Sequence, residues 1–334
     1  MSAPLLRVDN LAVEFGSKAQ PLRVVDGISF EIDAGHSVGI VGESGSGKSV
    51  TSLAILRLIP EPPGRIAQGR IELNGVNLLE QPLSAMPEIR GRDIAMIFQE
   101  PMSSLNPVMT IGDQIGEAIM LHEDVSREER RRKTVEMLKL VGIPDPERRL
   151  GAYPHQFSGG MRQRVMIAMA VVCNPKLIIA DEPTTALDVT IQAQVLELLK
   201  KVRRQLNTAI LMISHDMGII ADICERVIVM YAGRVVEDAD VRSAFRSPSH
   251  PYTQGLLQSI PRLSGDQTRL FQIPGSVPLP GTVQQGCPFY ARCSRRIDKC
   301  AEVMPPMFRF GPQHTAACWV TAEARSAPAL AAVP

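Results

Sequence analysis

The sequence predicts an α/β fold with a parallel sheet at its core. Three short apolar segments are typical of buried parallel strands: SVGIVG at 37–42, KLIIADE at 176–182 and TAILMISHD at 208–216. An apolar-periodic helix, IQAQVLELLKKVRRQ, lies between the last two segments. Because a strand, a helix and a second strand in succession form a parallel pair with a crossover, this alternation indicates a parallel α/β sheet.

The segments that flank these strands indicate two further regions. LLRVDNLAVEF and RVVDGISFEI alternate partly between apolar and polar residues on either side of GSKAQP, so we expect an antiparallel hairpin. Farther along, SREERRRKTVEMLKLVGI begins with Ser126 and, three residues later, Glu129, the spacing of a capping box. We expect the charged side chains of Arg127–Lys133 on the solvent face of that helix.

The composition is that of an ordinary globular protein. The 334 residues are 45% apolar and 21% charged, and 36 basic against 35 acidic side chains give a net charge of +1. This balance argues against a nucleic-acid partner. The longest apolar run, VMIAMAVVC at 165–173, has half the ~18 residues of a membrane span, and charged residues appear too early for a signal peptide. We therefore expect a cytoplasmic chain, in which clustered cysteines serve a metal or redox role.

A change in composition indicates a domain boundary. After about residue 247 the sequence becomes rich in proline and loses its periodicity, as in SPSHPYTQ and IPGSVPLPG. We predict a main domain over 1–247, with a helical part at about 100–162. A small irregular C-terminal module over 248–324 carries four cysteines, and we expect a disordered tail over 325–334.

The clearest functional pattern is GESGSGKS at 42–49, between the first buried strand and an apolar helix. Its form is that of a phosphate loop, whose backbone N–H groups surround phosphates. Lys48 is expected to reach the terminal phosphates, and Ser49 to hold magnesium through its hydroxyl group. The candidate nucleotide-binding residues here are Gly42, Glu43, Ser44, Gly45, Ser46, Gly47, Lys48, Ser49 and Val50.

Acidic residues at the end of the second buried strand complete the pattern. Asp181 ends the strand, where it can reach a magnesium ion, and Glu182 follows, where it can polarise the attacking water. His215 ends the third strand, and beside these motifs a phosphate contact is favoured over a purely structural role. These residues predict a nucleotide hydrolase.

A second anion site is predicted at FSGGMRQR, 157–164. Ser158, Gly159 and Gly160 form a polar turn before an apolar helix, and such a helix start binds anions. An ordinary helix cap would explain the turn alone. Because the first loop already holds the phosphates, we expect this turn to cap the nucleotide of a partner chain.

Taken together and in this order, the motifs resemble those of ABC transporter ATP-binding subunits over roughly residues 5–245. The resemblance implies an ABC ATPase domain with a parallel core sheet, an antiparallel β subdomain and a helical subdomain, and it implies bound ATP and Mg²⁺. Gln99 in IFQEP matches the Q-loop, Asp188 in TALD the D-loop, and His215 the switch histidine. Ser49, Gln99 and Asp181 would hold the magnesium ion. Phe15 in VEFG would stack on adenine, unless it is an ordinary strand phenylalanine.

FSGGM at 157–161 matches the signature motif of this family but departs from its general pattern. Phe157 and Met161 replace the usual leucine and glutamine, as in the peptide-importer branch. QEPMSSLNP at 99–107 and SPSHPYTQGLL at 247–257 are also similar to that branch, most closely to its dipeptide type.

The four clustered cysteines are Cys287, Cys293, Cys300 and Cys318. Their spacing fits neither a common zinc site nor the ferredoxin run, so chemistry alone leaves an iron–sulfur cluster, zinc and no metal all open. The resemblance to the peptide-importer branch implies a 4Fe-4S cluster. The other two, Cys173 and Cys224, are expected to be buried small apolar residues.

The resulting functional hypothesis is an ATPase that powers peptide import. Glu182 acts as general base, assisted by Lys48 and His215, in a pair of ATPase chains that we expect to be a heterodimer. Two membrane permease subunits and, indirectly, an extracytoplasmic solute-binding protein are the expected partners, at the cytoplasmic face of the inner membrane. Another small solute, such as nickel or glutathione, is an alternative cargo, and a soluble ABC ATPase acting on DNA or the ribosome is a rival function.

Overall fold

The computed structural model describes residues 3–17, 19–100, 104–185, 187–260, 271–282 and 285–326. The strands of these residues are β1 (Leu6–Ser17), β2 (Gln20–Ile32), β3 (Ser37–Val41), β4 (Gly64–Leu73), β5 (Val76–Asn77), β6 (Ile94–Ile97), β7 (Leu177–Asp181), β8 (Ala209–Ser214), β9 (Arg226–Tyr231), β10 (Arg234–Asp240), β11 (Phe308–Gly311) and β12 (His314–Ala316). The helices are α1 (Lys48–Ile55), α2 (Ile111–His122), α3 (Arg127–Leu140), α4 (Pro146–Arg149), α5 (Gly159–Val171), α6 (Val189–Leu206), α7 (Met217–Ile223), α8 (Val241–Arg246), α9 (Pro251–Gln258), α10 (Lys299–Glu302) and α11 (Trp319–Ser326).

The larger sheet is the predicted parallel core with an antiparallel edge. Its strand order is β11-β12-β10-β9-β3-β8-β7-β6, and the strands from β9 to β6 are parallel to one another. Strands β3, β7 and β8 are buried along their whole length, as their continuous apolar sequences predict. Val41 pairs with Ser214, and Asp181 pairs with Ile213, so the carboxyl ends of these three strands meet at one edge. Functional loops that follow the strands are thereby gathered in one place.

The predicted hairpin belongs to a second, antiparallel sheet of order β2-β1-β4-β5. Val8 of β1 lies opposite Phe30 of β2 and opposite Ile71 of β4, and all three side chains are buried. These residues share an apolar core with Ile40 and Ile179 of the parallel sheet. The antiparallel sheet therefore covers one face of the parallel sheet.

Helices cover the other face of the parallel sheet. Because side chains alternate along a strand, Ile178 faces this side whereas Ile179 faces the antiparallel sheet. Helices α2, α3, α5 and α6 contribute buried aliphatic side chains to this second core. Ser126 begins α3 and accepts a hydrogen bond from the Glu129 N–H at 3.2 Å, which is one half of the expected capping box.

The C-terminal module is less separate from the main domain than its composition predicts. Strand β12 pairs with β10, where His314 lies opposite Ala239 and Ala316 opposite Glu237, and β11 pairs with β12. Residues beyond 247 thus extend the core sheet. Helix α11 continues to Ser326, and residues 327–334 of the expected tail lie outside the described residues.

A second attachment of the module is built on Glu237, which is fully buried. Its carboxylate accepts hydrogen bonds from the N–H groups of Ser249 and His250 at 2.6 and 2.8 Å, and it lies 2.7 Å from Nε2 of His314. A buried carboxylate is tolerated when its oxygens accept hydrogen bonds in this way.

Among the described residues, none of the helices is both long enough and apolar enough to cross a membrane.

Candidate functional site

The phosphate loop, residues 42–49, connects the end of β3 to the start of α1. Gly47 begins the helix with φ at 97°, a left-handed conformation that glycine adopts without strain. Gly42 lies so close to β9 that a Cβ atom there would be 2.3 Å from the carbonyl oxygen of Met230. Both glycines are therefore required by the backbone, and the N-terminus of α1 is left open toward an anion.

Lys48 and Ser49 connect the loop to its surroundings. Lys48 Nζ donates hydrogen bonds to the carbonyl oxygens of Gly42 and Glu43 at 2.8 and 3.1 Å. Burial lowers the pKa of Lys48, and the nearby carboxylates of Glu182 and Asp181 oppose this shift. The hydroxyl group of Ser49 donates to Oδ1 of Asp181 at 3.0 Å. Burial is also the main cause that raises the pKa of Asp181, and its bond to Ser49 partly offsets the rise.

Glu182 lies at the centre of the site. Its Oε2 accepts hydrogen bonds from Nε2 of Gln99 at 3.1 Å and from the hydroxyl group of Thr185 at 2.9 Å. Its Oε1 lies 3.2 Å from Nδ1 of His215. The structure thus brings together Gln99, Glu182 and His215, which the sequence places far apart, and fixes the orientation of the carboxylate.

These residues surround a cavity of about 700 Å³. That volume is within the usual range for small-molecule and cofactor sites. It is lined by Val24, Glu43, Ser44, Gly45, Gly47, Lys48, Ser49, Val50, Gln99, Glu182, His215, Leu256 and Pro280. Most of these residues are predicted from the sequence. Val24, Leu256 and Pro280 are not, because their sequence surroundings carry no phosphate-binding pattern.

Ser49 and Asp181 fit a magnesium ion. Their side-chain oxygens are adjacent at the loop, and Mg²⁺ prefers oxygen ligands from one or two carboxylates or hydroxyl groups together with substrate phosphates. Gln99, the third predicted ligand, lines the same cavity.

Phe15 does not line the cavity. It is partly buried on β1 beside Gly64, where a Cβ atom would be 2.9 Å from Cε1 of the phenylalanine ring. Its adenine-stacking role stays a prediction.

The second anion site forms an exposed helix start. Ser158 begins α5 and accepts a hydrogen bond from the Met161 N–H at 3.4 Å, while Ser158 and Gly159 are exposed. A Cβ atom on Gly160 would be 2.9 Å from Ile191, whose N–H donates to Asp188 at 2.9 Å. The signature turn thus lies beside Ile191 in the first turn of α6, the helix that Asp188 caps, and neither the turn nor Asp188 lines the cavity. The role of this turn toward the nucleotide of a partner chain stays a prediction.

The cysteines fall into two groups. Cys173 and Cys224 are isolated and buried or partly buried, and burial raises the pKa of Cys173 to about 11. The other four lie near one another: burial is the main cause that raises the pKa of Cys287 to about 12, and the thiols of Cys300, Cys293 and Cys318 are close enough to contribute to that rise. The N–H of Cys287 donates to the carbonyl oxygen of Cys300 at 2.7 Å.

Proximity does not amount to a metal site here. Within the described ranges, no group of three or more His, Cys, Asp or Glu side chains is arranged to hold a metal ion. All four thiols are free. The four thiols are thus close together, but the described side chains are not arranged as a preformed metal site.

Sequence reasoning missed two residues that reach the phosphate loop from the C-terminal module. Tyr252 and Arg292 both bond to Glu43. The only available signal was the SPSHPYTQ stretch that contains the tyrosine, since an arginine in an irregular segment shows no pattern of its own.

Comparison with known families gives two matches. Residues 25–185 match the family described as ABC transporter. Residues 236–300 match the family described as oligopeptide/dipeptide transporter, C-terminal region.

Curated relatives match the chain over nearly its full length. The probable peptide ABC transporter ATP-binding protein y4tR of Sinorhizobium fredii is 52% identical, over 94% of each chain. The oligopeptide transport ATP-binding protein AppD of Bacillus subtilis is 50% identical over 96% of this chain and 97% of its own. The dipeptide transport ATP-binding protein DppD of Bacillus subtilis is 48% identical over 95% of this chain and 94% of its own.

Solved structures show the same architecture. The ATP-binding cassette MJ0796, in a dimeric post-hydrolysis state bound to ADP and Pi, superposes with a TM-score of 0.63 and 27% identity, over 71% of this chain and 99% of its own. The cbiO1 subunit of Clostridium perfringens gives the same TM-score at 25% identity, over 74% of this chain and 92% of its own.

Proposed function

This chain belongs to the ATP-binding subunits of ABC transporters and carries the oligopeptide/dipeptide C-terminal region, and from this premise we propose that it hydrolyses ATP to power the import of small peptides. The observation that carries the proposal is the Glu182 carboxylate, which Gln99, Thr185 and His215 hold at the edge of the nucleotide-sized cavity. The relatives at about 50% identity support peptides as the class of cargo.

The hydrolytic step follows from the position of each side chain. Glu182 accepts a proton from a water molecule whose oxygen bonds to the γ-phosphorus atom. The bond between that phosphorus and the oxygen that bridges it to the β-phosphate breaks, and ADP and inorganic phosphate are released. Lys48 exchanges its bonds to the loop carbonyls for bonds to phosphate oxygens and stabilises the negative charge of the transition state. His215, which is hydrogen-bonded to Glu182, would lie beside the γ-phosphate. Ser49, Asp181 and Gln99 would hold Mg²⁺, which neutralises phosphate charge when bound.

We propose that two ATPase chains close on the nucleotides. The exposed start of α5, at Ser158, Gly159 and Gly160, supplies N–H groups and the positive end of a helix to the nucleotide of the partner. The dimeric state of MJ0796 supports this arrangement. We propose a different ATPase chain as partner, together with two membrane permease subunits at the cytoplasmic face of the membrane. An extracytoplasmic solute-binding protein would deliver the cargo.

Glu182→Gln tests the hydrolytic assignment. The amide keeps the size of the side chain but cannot accept the proton, so hydrolysis should fall by roughly 10²- to 10⁴-fold while ATP binding persists. Glu197→Gln is the matched control, because that carboxylate is exposed on α6 and bonds only to Lys200 among the described residues. Phosphate release and ATP binding are measured on the assembled complex. Undiminished hydrolysis by Glu182→Gln would remove the general-base assignment.

The four clustered cysteines are proposed as ligands of a 4Fe-4S cluster, and none of the steps above uses it. Support comes from their number and proximity. Iron, sulfide and zinc analysis of anaerobically purified protein tests the proposal: about four iron and four sulfide per chain are expected. One zinc without iron, or no metal, would refute it and leave the ATPase proposal intact.

A further inference from the structure

We propose that Arg292 and Tyr252 of the C-terminal module are positioning residues for the phosphate loop, which they hold through Glu43 and whose affinity for ATP they set. The proposal rests on the ATP-dependent function above. It adds two residues to the nucleotide site that lie outside the motifs of the main domain.

Glu43 is attached at three points. Its N–H donates to the hydroxyl oxygen of Tyr252 at 2.8 Å, and its carboxylate accepts from Nη1 and Nη2 of Arg292 at 2.7 and 3.1 Å. Its carbonyl oxygen accepts from Nζ of Lys48 at 3.1 Å and from the N–H of Ser46, within the loop, at 3.2 Å. Two of the three attachments come from residues more than 200 positions later in the chain, with separations of 209 and 249. The loop is therefore fixed from outside the segment that contains it.

Contacts other than the one with Glu43 also hold the Arg292 side chain in place. Its side chain is only 6% exposed. Nε donates to the carbonyl oxygen of Pro274 at 2.8 Å, and Nη2 donates to that of Ile273 at 3.2 Å. The guanidinium also lies over the ring of Tyr231, 5.7 Å from its centre. A planar fork restrained on several sides binds a carboxylate with little further loss of freedom.

Tyr252 is fully buried in an aromatic cluster that includes a residue of the cysteine-bearing segment. Its ring centre lies 4.7 Å from that of Tyr231 and 5.4 Å from that of Phe289. Phe289 and Arg292 both lie between Cys287 and Cys293. The same short segment thus supports both contacts to Glu43, directly through the arginine and indirectly through the tyrosine.

Charge explains why these contacts matter for ATP. Glu43 lines the nucleotide cavity, and its carboxylate would repel a triphosphate in the same space. The bidentate bond to Arg292 neutralises this charge. It also fixes the start of the loop, so that the following N–H groups are arranged before the anion arrives. Without Arg292, the Glu43 carboxylate would repel the phosphates of ATP and the start of the loop would no longer be fixed, so both effects would weaken the binding of ATP.

Equilibrium binding of MgATP to the purified full chain tests the proposal. Arg295→Ala is the matched control, because that arginine is exposed and, within the part of the chain that the structure describes, has no hydrogen bond or ion pair to the loop. Arg292→Ala should weaken binding by roughly 5- to 30-fold, and Tyr252→Phe by a smaller factor. Adding Glu43→Gln to Arg292→Ala should restore part of the lost affinity, because the unpaired charge is then gone, but the double variant should still bind more weakly than the wild type, because the loop still lacks its anchor. A merely structural arginine would not be rescued in this way.

Three results separate the possibilities. If the wild type binds ATP and Arg292→Ala binds equally well, or if Glu43→Gln restores the full wild-type affinity, the positioning role is wrong; if Glu43→Gln restores none of the lost affinity, the charge-neutralising role is wrong. If the wild type does not bind ATP, the proposed function itself fails. If Arg292→Ala does not fold, as judged by thermal melting, Arg292→Lys replaces it; one ammonium group cannot form the bidentate bond, so an intermediate loss of affinity is expected and wild-type affinity would refute the role.

Discussion

Replacing His250 with asparagine should make the stability of the protein less sensitive to acid. His250 is 1% exposed and begins α9, where its Nδ1 accepts a hydrogen bond from the Tyr252 N–H at 3.1 Å. Burial lowers the pKa of His250 from 6.5 to about 4, and the nearby charge of Glu237 only partly opposes the shift. Asparagine is also a good N-cap acceptor, so the substitution keeps the cap and removes the titration.

The direction and size of the effect follow from the pKa shift. Between pH 6.5 and pH 4 the unfolded chain binds a proton at this position that the folded chain does not bind, so the free energy of unfolding falls as the pH falls through that window. The shift corresponds to about 3 kcal/mol in total. About 2 kcal/mol of this is lost between pH 7 and pH 5.

Thermal melting of both proteins at pH 7 and pH 5 measures the difference. The drop in Tm on acidification should be larger for the wild type than for His250→Asn by roughly 3 °C. Equal drops in Tm would show that His250 is not held neutral by burial, and the reasoning would be wrong.

Two further substitutions test the phosphate loop and the signature turn. Gly42→Ala should lower the free energy of unfolding by about 1–3 kcal/mol, because its Cβ would lie 2.3 Å from the Met230 carbonyl oxygen. Gly151→Ala is the control and should change the free energy of unfolding little, because its Cβ would have no atom within 4 Å. Equal melting curves for the two variants would contradict this expectation. Ser158→Glu places a carboxylate at the exposed start of α5. ATP binding by the single chain should be unchanged while phosphate release by the assembled pair falls by roughly 100-fold, and unchanged release would argue against the site in trans.

The parts of the fold that the sequence predicts are those with a local pattern. SVGIVG and TAILMISHD are continuously apolar because parallel strands are buried on both faces, and they form β3 and β8. The carboxyl ends of parallel strands share an edge, so Asp181 and His215 could be placed beside the phosphate loop before any distance was known.

The parts that could not be predicted depend on contacts between distant segments. FRFG and HTA are too short to indicate strands, and they form β11 and β12 only because the edge of β10 is available for pairing. Arg292 pairs with Glu43 across a separation of 249 residues, and nothing near either residue indicates the other. The proximity of the cysteines has the same origin, since it requires the fold of the whole module.

Uptake of labelled peptide tests the central claim most directly. Cells that lack this chain, and the same cells supplied with the wild type or with Glu182→Gln, are compared for uptake of a dipeptide, an oligopeptide and nickel. Peptide uptake should be lost with the chain, return with the wild type and not return with Glu182→Gln, while nickel uptake should be unaffected. Peptide uptake that is independent of this chain, or that Glu182→Gln restores, would contradict the account.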